Sequence, residues 1–195
     1  MGRGRLRIIA GALKGRKLHT LEGETVRPTA ERVREALFDI LGDRILDADF
    51  LDVYAGTGAV GIEALSRGCA SATFIEKQRE VVNVLRLNLE ALDHLAGRAR
   101  VLPHDVARSV AVLEREGRRF DVVYLDPPYA GGELERALRL LSRSMLVRDS
   151  SILVAEHESD TIAPRPERLE PFRTAVYGRA ALTFYRALTS PGGGV

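Results

Sequence analysis

The spacing of apolar residues predicts one α/β sheet domain behind a short N-terminal extension. From Phe50 onward, short β-branched or aromatic runs alternate with apolar residues at helical spacing, which is typical of a parallel sheet with crossover helices. Strands are predicted over 50–54, 71–75, 99–102, 120–125 and 152–156, with a closing hairpin of 173–177 and 182–186. Helices are predicted through 62–66 and over 79–92, 106–116 and 133–145. The fold class is therefore α/β, with a doubly wound, mostly parallel sheet of six or seven strands.

The N-terminal part of the chain does not follow this alternation. Segments 6–10 and 16–19 predict a small β-hairpin, and a helix is predicted after Pro28 and Thr29, which favour a helix start. We therefore divide the chain into an N-terminal basic hairpin and helix over 1–45, a sheet domain over 46–189, and a tail over 190–195 that we expect to be disordered.

Composition excludes several classes of protein. With 195 residues, of which 45% are hydrophobic and 29% charged, the chain fits a globular domain better than a disordered or fibrous protein. The single cysteine, Cys69, excludes a disulfide framework, and the histidines show no metal-ligand spacing. No apolar run is long enough for a membrane span or a secretory signal. We expect a cytoplasmic protein without a metal.

The formal net charge of +2 conceals an uneven distribution. Residues 1–20 carry six basic side chains and no acidic one, which leaves 23 basic against 27 acidic residues over 21–195. A basic N-terminal segment attached to an acidic body suits an anionic polymer such as a nucleic acid, although a solvated charged surface is the alternative.

A glycine-rich turn follows the first predicted strand. The segment 56–61 reads Gly-Thr-Gly-Ala-Val-Gly, a G-x-G-x-x-G between a strand and a helix. Glycines let the backbone approach a ligand and the helix start offers free N–H groups, so the turn suits a dinucleotide or S-adenosylmethionine. A tight turn without a ligand remains the alternative.

Acidic residues end three successive strands and favour the phosphate-free cofactor. Asp52 lies four residues before Gly56, where it would repel a pyrophosphate but attract the ammonium and sulfonium charges of S-adenosylmethionine. Glu76 could accept hydrogen bonds from ribose hydroxyls, and Asp105 from an adenine amino group. Each acid alone could be a solvated strand end, and Asp105 could be a helix cap. Together they line the edge where open α/β sheets bind ligands.

The strand over 120–125 ends in Asp126-Pro127-Pro128-Tyr129, which suits transfer of a methyl group to an exocyclic amine. The nitrogen lone pair of such an amine is delocalised into the base. The Asp126 carboxylate and the Pro127 carbonyl could accept its two N–H groups and free the lone pair, while the prolines fix the backbone. Tyr129 could stack on a base extruded from its helix. A proline-rich surface turn is the alternative.

These ordered motifs, Asp52 to Gly58, Glu76, Asp105 and Asp126 to Tyr129, resemble those of S-adenosylmethionine-dependent amino-methyltransferases with a Rossmann-like, seven-stranded sheet. The N-terminal segments 7–11 (Arg-Ile-Ile-Ala-Gly), 15–18 (Gly-Arg-Lys-Leu) and 27–29 (Arg-Pro-Thr), with Arg32 to Glu35 and Leu37-Phe38, resemble the RsmD family more narrowly. Members of that family methylate guanine N2 in 16S ribosomal RNA.

The resemblance implies a role for each matching position. It implies a monomeric enzyme that binds S-adenosylmethionine and 16S rRNA within the small subunit or an assembly intermediate. The implied catalytic residues are Asp126, Pro127, Pro128 and Tyr129. The implied cofactor-binding residues are Asp52, Tyr54, Ala55, Gly56, Thr57, Gly58, Glu76, Lys77, Asp105, Val106 and Asp126. The implied RNA-binding residues are Arg7, Lys14, Arg16, Lys17, Arg27, Thr29 and Arg32.

Other functions remain open at the level of sequence. Asp-Pro-Pro-Tyr suits any exocyclic amine, so an adenine-N6 or cytosine-N4 methyltransferase acting on DNA or another RNA is one alternative, although 195 residues leave no room for a large target-recognition domain. An NAD-dependent oxidoreductase would use the same glycine turn. A non-catalytic RNA-binding module is disfavoured because the whole Asp126–Tyr129 motif is present.

Overall fold

The computed structural model is an α/β protein built on one seven-stranded sheet in the order β3-β2-β1-β4-β5-β7-β6. It describes residues 6–21, 28–92, 97–128 and 132–188; the side chains of Pro28 and Thr29 are not described. Strands β3, β2, β1, β4 and β5 run parallel, whereas β7 lies antiparallel between β5 and β6. The predicted doubly wound, mostly parallel fold is therefore confirmed.

The elements follow the predicted alternation. The strands are β1 Asp49–Val53, β2 Ser71–Ile75, β3 Ala99–Leu102, β4 Phe120–Leu125, β5 Val147–Glu158, β6 Leu169–Tyr177 and β7 Ala180–Ala187. The helices are α1 Pro28–Leu41, α2 Ala59–Ser66, α3 Arg79–Glu90, α4 Val106–Arg115 and α5 Glu133–Arg143, and a 3-10 turn covers Gly42–Ile45. Among the described residues, no helix is long and apolar enough to cross a membrane.

Two hydrophobic layers cover the two faces of the sheet. Helices α1, α2 and α3 pack on one face, where Phe50, Phe74 and Tyr124 are buried. Helices α4 and α5 pack on the other face, over Leu51 and Val123. Because both faces are covered, the central strands are almost continuously apolar rather than alternating.

The largest difference from prediction is the length of β5, which extends over 147–158 rather than 152–156. Its first half is hidden in the sequence because Arg148, Asp149 and Ser150 are exposed polar residues. Val147 nevertheless pairs with Phe120, so the strand begins at the start of β4. Backbone pairing, not side-chain burial, extends this strand.

The N-terminal segment forms a minimal hairpin that joins the core rather than the sheet. Its only bridge pair among the described residues is Arg7 with Lys17. Four apolar side chains of the segment, Leu6, Ile8, Leu13 and Leu18, are buried in the same layer as α1, α2 and α3. The extension predicted over 1–45 is thus fused to the sheet domain where it is described. The predicted tail over 190–195 lies outside the described residues.

Candidate active site

The carboxyl ends of the parallel strands open into a cavity of about 780 Å³. It lies where the chain turns from β1 toward β2 on one side and from β4 toward β5 on the other, the position where open α/β sheets bind ligands. Predicted site residues on four different loops meet here. They are Tyr54, Glu76, Lys77, Asp105, Val106, Asp126, Pro127 and Pro128.

Asp52 does not line this cavity but lies beneath the glycine-rich turn. Its side chain is only 1% exposed, and Oδ2 accepts a hydrogen bond of 2.8 Å from the Gly61 N–H in the first turn of α2. Burial raises the pKa of Asp52 to about 7, although the Gly61 hydrogen bond opposes the shift and Glu76 adds to it. Asp52 therefore fixes the turn from within, and direct contact with a cofactor stays a prediction.

Glu76 holds the glycine turn from the outside. Its Oε2 accepts from the Gly56 N–H at 3.1 Å, and its Oε1 from the Gln78 N–H at 2.8 Å. This fixed, half-buried carboxylate faces the cavity at the end of β2. Asp105 at the end of β3 is exposed to the cavity and also caps α4, because its Oδ1 accepts from the Arg108 N–H at 2.8 Å. Asp105 is therefore a helix cap, as one alternative predicted, and it also lines the cavity.

The turn itself needs left-handed backbone at several positions. Tyr54 has φ +65°, in the left-handed region that favours glycine, so this side chain stands on a backbone conformation that is unusual for it. Its hydroxyl donates to Glu133 Oε2 at 3.3 Å. Gly58 has φ +89°, and a Cβ atom there would lie 2.3 Å from Leu85 Cδ1. Gly58 and Ala55 are buried within the turn and do not line the cavity.

A second cavity of about 530 Å³ opens on the other face of the sheet. It lies between the N-terminal segment and the strand ends, and Asp126, Glu76 and Gln78 border both cavities. Gly56 and Thr57 line only the second cavity. The exposed side chain of Asp126, directly after β4, therefore stands at the boundary between the two cavities. Tyr129, the last residue of the predicted motif, lies outside the described residues.

Three polar side chains that line the second cavity were not among the site residues predicted from the sequence: Arg34, Tyr124 and Glu156. Tyr124 is 3% exposed, and its hydroxyl donates to Glu156 Oε2 at 2.6 Å. Burial, and then the nearby carboxylates of Glu156 and Asp126, raise the pKa of Tyr124 well above its usual value. The sequence contained one indication of Tyr124 and Glu156, because each is a polar residue within or directly after a run of buried apolar strand residues.

Buried polar residues attach the N-terminal segment to the domain. Glu63 of α2 accepts from the N–H groups of Ile9 and Ala10 at 2.8 and 2.9 Å. Asn88 of α3 accepts from the His19 N–H at 2.7 Å and donates to the carbonyls of His19 and Thr57 at 3.0 and 2.9 Å. The basic segment and the glycine turn therefore share a hydrogen-bonding partner. Glu63 and Asn88 could have been noticed in the sequence, because each polar residue stands at a helical position that faces the core.

The predicted RNA-binding residues lie on the surface of the N-terminal part where they are described. Arg7, Lys14, Arg16 and Lys17 are exposed on the hairpin. Arg32 is exposed on α1 but faces a groove against β6 rather than either cavity. Arg34, two residues later, lines the second cavity instead. Arg27 and the Thr29 side chain lie outside the described residues.

Comparison with known proteins assigns the chain to a family. The family described as "Conserved hypothetical protein 95" matches residues 6–186. The chain is 39% identical over 186 residues to "Ribosomal RNA small subunit methyltransferase D" of Escherichia coli (strain K12), covering 95% of this chain and 91% of that protein. This chain belongs to that family, the RsmD family that its sequence motifs predict.

Solved structures share the fold of this RsmD-family protein. The E. coli protein yhhF has a TM-score of 0.82 and 38% identity, covering 96% of this chain and all of that one. SMU.776, solved in complex with SAH, has a TM-score of 0.66 and 14% identity, covering 85% of this chain and 52% of that one. At that identity the likeness shows the fold alone.

The charges of the first cavity of this RsmD-family protein suit a cationic ligand. Four acidic residues line it, Glu76, Asp105, Asp126 and Glu133, against the cations Lys77 and Arg136. Arg136 is engaged by Glu133 at 2.8 Å. A pyrophosphate would meet net repulsion here, whereas an ammonium or sulfonium group would be attracted. This arrangement disfavours a dinucleotide and fits S-adenosylmethionine. Among the described residues, no group of three or more His, Cys, Asp or Glu side chains could hold a metal ion.

Proposed function

We propose that this chain transfers a methyl group from S-adenosylmethionine to the exocyclic N2 of a guanine in 16S rRNA. Family membership and the relative named as a small-subunit rRNA methyltransferase support the rRNA substrate. The proposal rests mainly on the position of Asp126, which borders both cavities. Its carboxylate can therefore face a methyl donor on one side and a base on the other.

The adenosine part of the cofactor would lie in the first cavity, and its methionine end would reach past Glu76 and Asp126, which border both cavities, to the glycine turn. Glu76 would accept hydrogen bonds from its ribose hydroxyls and Asp105 from its adenine amino group, because both carboxylates face the cavity from successive strand ends. Asp52 would support the methionine end through the glycine turn that it holds. The bound cofactor supplies an electrophilic methyl group on a sulfonium sulfur.

The chain's own contribution to the reaction is positioning of the amine. Asp126 and the Pro127 carbonyl accept the two amine N–H groups, so the nitrogen lone pair is directed out of the base plane. Pro127 is buried and its φ is fixed by the ring, which holds the carbonyl in place. Alignment of this kind contributes about 7–11 kcal/mol in favourable cases, against a few kcal/mol for base extrusion.

The RNA would approach from the N-terminal side. The exposed cations Arg7, Lys14, Arg16 and Lys17 can neutralise phosphates, while the second cavity, which Leu6 and Thr20 of the same segment help to line, receives the extruded base. We further propose that residues 1–45 provide RNA binding and 46–189 the transfer, and that a monomer acts in the cytoplasm on the small subunit or an assembly intermediate.

The experiment is to identify the methylated nucleoside. Small subunits purified from cells that lack this modification are incubated with the protein and methyl-labelled S-adenosylmethionine, and the digested RNA is analysed by mass spectrometry. N2-methylguanosine at one position supports the proposal. Methylated adenine or cytosine would support the alternative amino-methyltransferases, and no labelled nucleoside in rRNA would refute an rRNA substrate.

A further inference from the structure

The end of β5 places a second carboxylate beside Asp126. Strands β4 and β5 are parallel neighbours, and Leu125 pairs with Ala155, so Asp126 and Glu156 follow side by side. Both side chains line the second cavity. Two adjacent carboxylates in a space of about 530 Å³ suit a ligand edge that presents several hydrogen-bond donors.

Tyr124 holds the Glu156 carboxylate in position. Its hydroxyl donates to Glu156 Oε2 at 2.6 Å from a side chain that is almost fully buried in the sheet. Burial keeps the pKa of Tyr124 high, so the hydroxyl remains a donor. A carboxylate fixed on one oxygen can select among ligands by direction, which a mobile surface carboxylate cannot.

The bases differ in the atom next to their exocyclic amine. Guanine carries N1–H beside its N2 amine and therefore presents a continuous row of donors. Adenine and cytosine present a ring nitrogen lone pair beside their amines. A carboxylate next to the amine-binding group would accept from guanine N1–H but would face a lone pair in the other two bases.

We propose that Glu156 determines the base specificity of this enzyme by accepting the N1–H of the target guanine while Asp126 accepts its amine. This inference rests on the proposed function, since it assumes that a base occupies the second cavity. Tyr124 acts as the positioning residue for Glu156. The opposing interpretation is that the Tyr124–Glu156 hydrogen bond only stabilises the fold.

The test replaces the N1–H in the substrate and the carboxylate in the protein. Small subunits are reconstituted with rRNA that carries, at the mapped target nucleotide, either guanine or 2-aminopurine, which keeps the C2 amine but has an unprotonated N1. The ratio of kcat/KM for guanine over 2-aminopurine is measured for the wild type, Glu156→Gln and Tyr124→Phe. Glu170→Gln is the matched control, because Glu170 pairs with Arg186 on the sheet outside both cavities.

The ratio distinguishes recognition from structural damage, because damage slows methylation of both bases alike. For Glu156→Gln we expect the ratio to fall roughly tenfold to hundredfold, the range of one hydrogen bond to a charged group, since the amide can also donate to an unprotonated N1. Tyr124→Phe should lower the ratio less, and Glu170→Gln should leave it unchanged. If a variant is too slow for kinetics, the ratio of equilibrium affinities for the two particles replaces it.

The two proposals fail in different ways. Wild-type protein that methylates no guanine in rRNA would overturn the proposed function. Wild-type protein that methylates guanine, together with a Glu156→Gln ratio equal to the wild-type ratio, would overturn the role of Glu156 and leave the function standing.

Discussion

Glu63 should be one of the most sensitive positions for stability, because its carboxylate joins the N-terminal segment to the domain. It is fully buried in α2 and accepts from two backbone N–H groups of the segment. It also accepts from Arg67 Nε at 2.8 Å and lies 3.6 Å from Arg34 Nε. Replacement by alanine would remove the acceptor of the Ile9, Ala10 and Arg67 N–H groups and the carboxylate charge nearest to Arg34.

The expected loss in free energy of unfolding follows from the polar groups that Glu63→Ala leaves without a partner. Arg34 is only 4% exposed, and burial already lowers its pKa, so its guanidinium would lose the nearest compensating charge. Breaking a buried ion pair in this way costs about 3–5 kcal/mol. The unsatisfied N–H groups of Ile9 and Ala10 add about 1–3 kcal/mol each where they stay buried. Because the segment can release instead, we expect a total loss near 3–5 kcal/mol.

The assay is urea unfolding followed by circular dichroism, with amide hydrogen exchange on residues 6–21. Glu135→Ala is the matched control, because Glu135 pairs with Arg139 at the same helical spacing on an exposed surface. An exposed pair contributes about 0–1 kcal/mol, so the control should barely change the free energy of unfolding. Glu63→Ala should also deprotect the amides of Ile9 and Ala10.

A Glu63→Ala protein whose free energy of unfolding lies within about 1 kcal/mol of the control would show that Glu63 does not form a stabilising buried pair, since breaking such a pair costs more. Unchanged exchange at Ile9 and Ala10 would independently show that the carboxylate does not hold the segment.

Two further predictions concern charge. Replacing the exposed Lys14, Arg16 and Lys17 by glutamine should weaken RNA binding and flatten its salt dependence by about 0.7–0.9 in log–log slope for each phosphate that is no longer neutralised; an unchanged slope would refute phosphate binding by the hairpin. The raised pKa of Asp52, about 7 against 3.8 unfolded, means that the native state binds the proton more tightly, so stability should fall as pH rises from about 4 to 7. Asp52→Asn should remove about 4 kcal/mol of that fall in urea titrations at several pH values, and parallel wild-type and variant pH profiles would contradict it.

The sheet and the residues at its carboxyl edge could be predicted because their signals are local. A buried strand followed by a glycine turn or by Asp-Pro-Pro places its terminal residue at the carboxyl edge whatever the rest of the chain does. Glu76, Asp105 and Asp126 were therefore predicted at one edge, and they line one cavity.

The second cavity could not be predicted because it depends on residues that are distant in sequence. Arg34 of α1 lines it together with Leu6 of the N-terminal segment, and Glu63, 29 positions after Arg34 in the chain, contacts both Arg34 and that segment. Glu156 is held in place from the neighbouring strand β4, because the Tyr124 hydroxyl donates to its carboxylate.

The N-terminal segment also contributes to the core, which affects how RNA binding should be tested. Removing residues 1–20 would expose the core that Ile8 and Leu18 help to form, so charge substitutions are the cleaner test.

Asp126 borders both cavities, and we expect it to act by orienting the target amine while contributing little to the affinity for the cofactor. This role is tested by single-turnover methylation of small subunits by wild-type protein and Asp126→Ala, which removes the acceptor, paired with calorimetric titration of each protein with S-adenosylmethionine. We predict one methyl group per subunit on guanine N2 for the wild type, and loss of transfer with nearly unchanged cofactor affinity for the variant. Full transfer by Asp126→Ala, or a loss of transfer explained by lost cofactor binding, would contradict this role of Asp126.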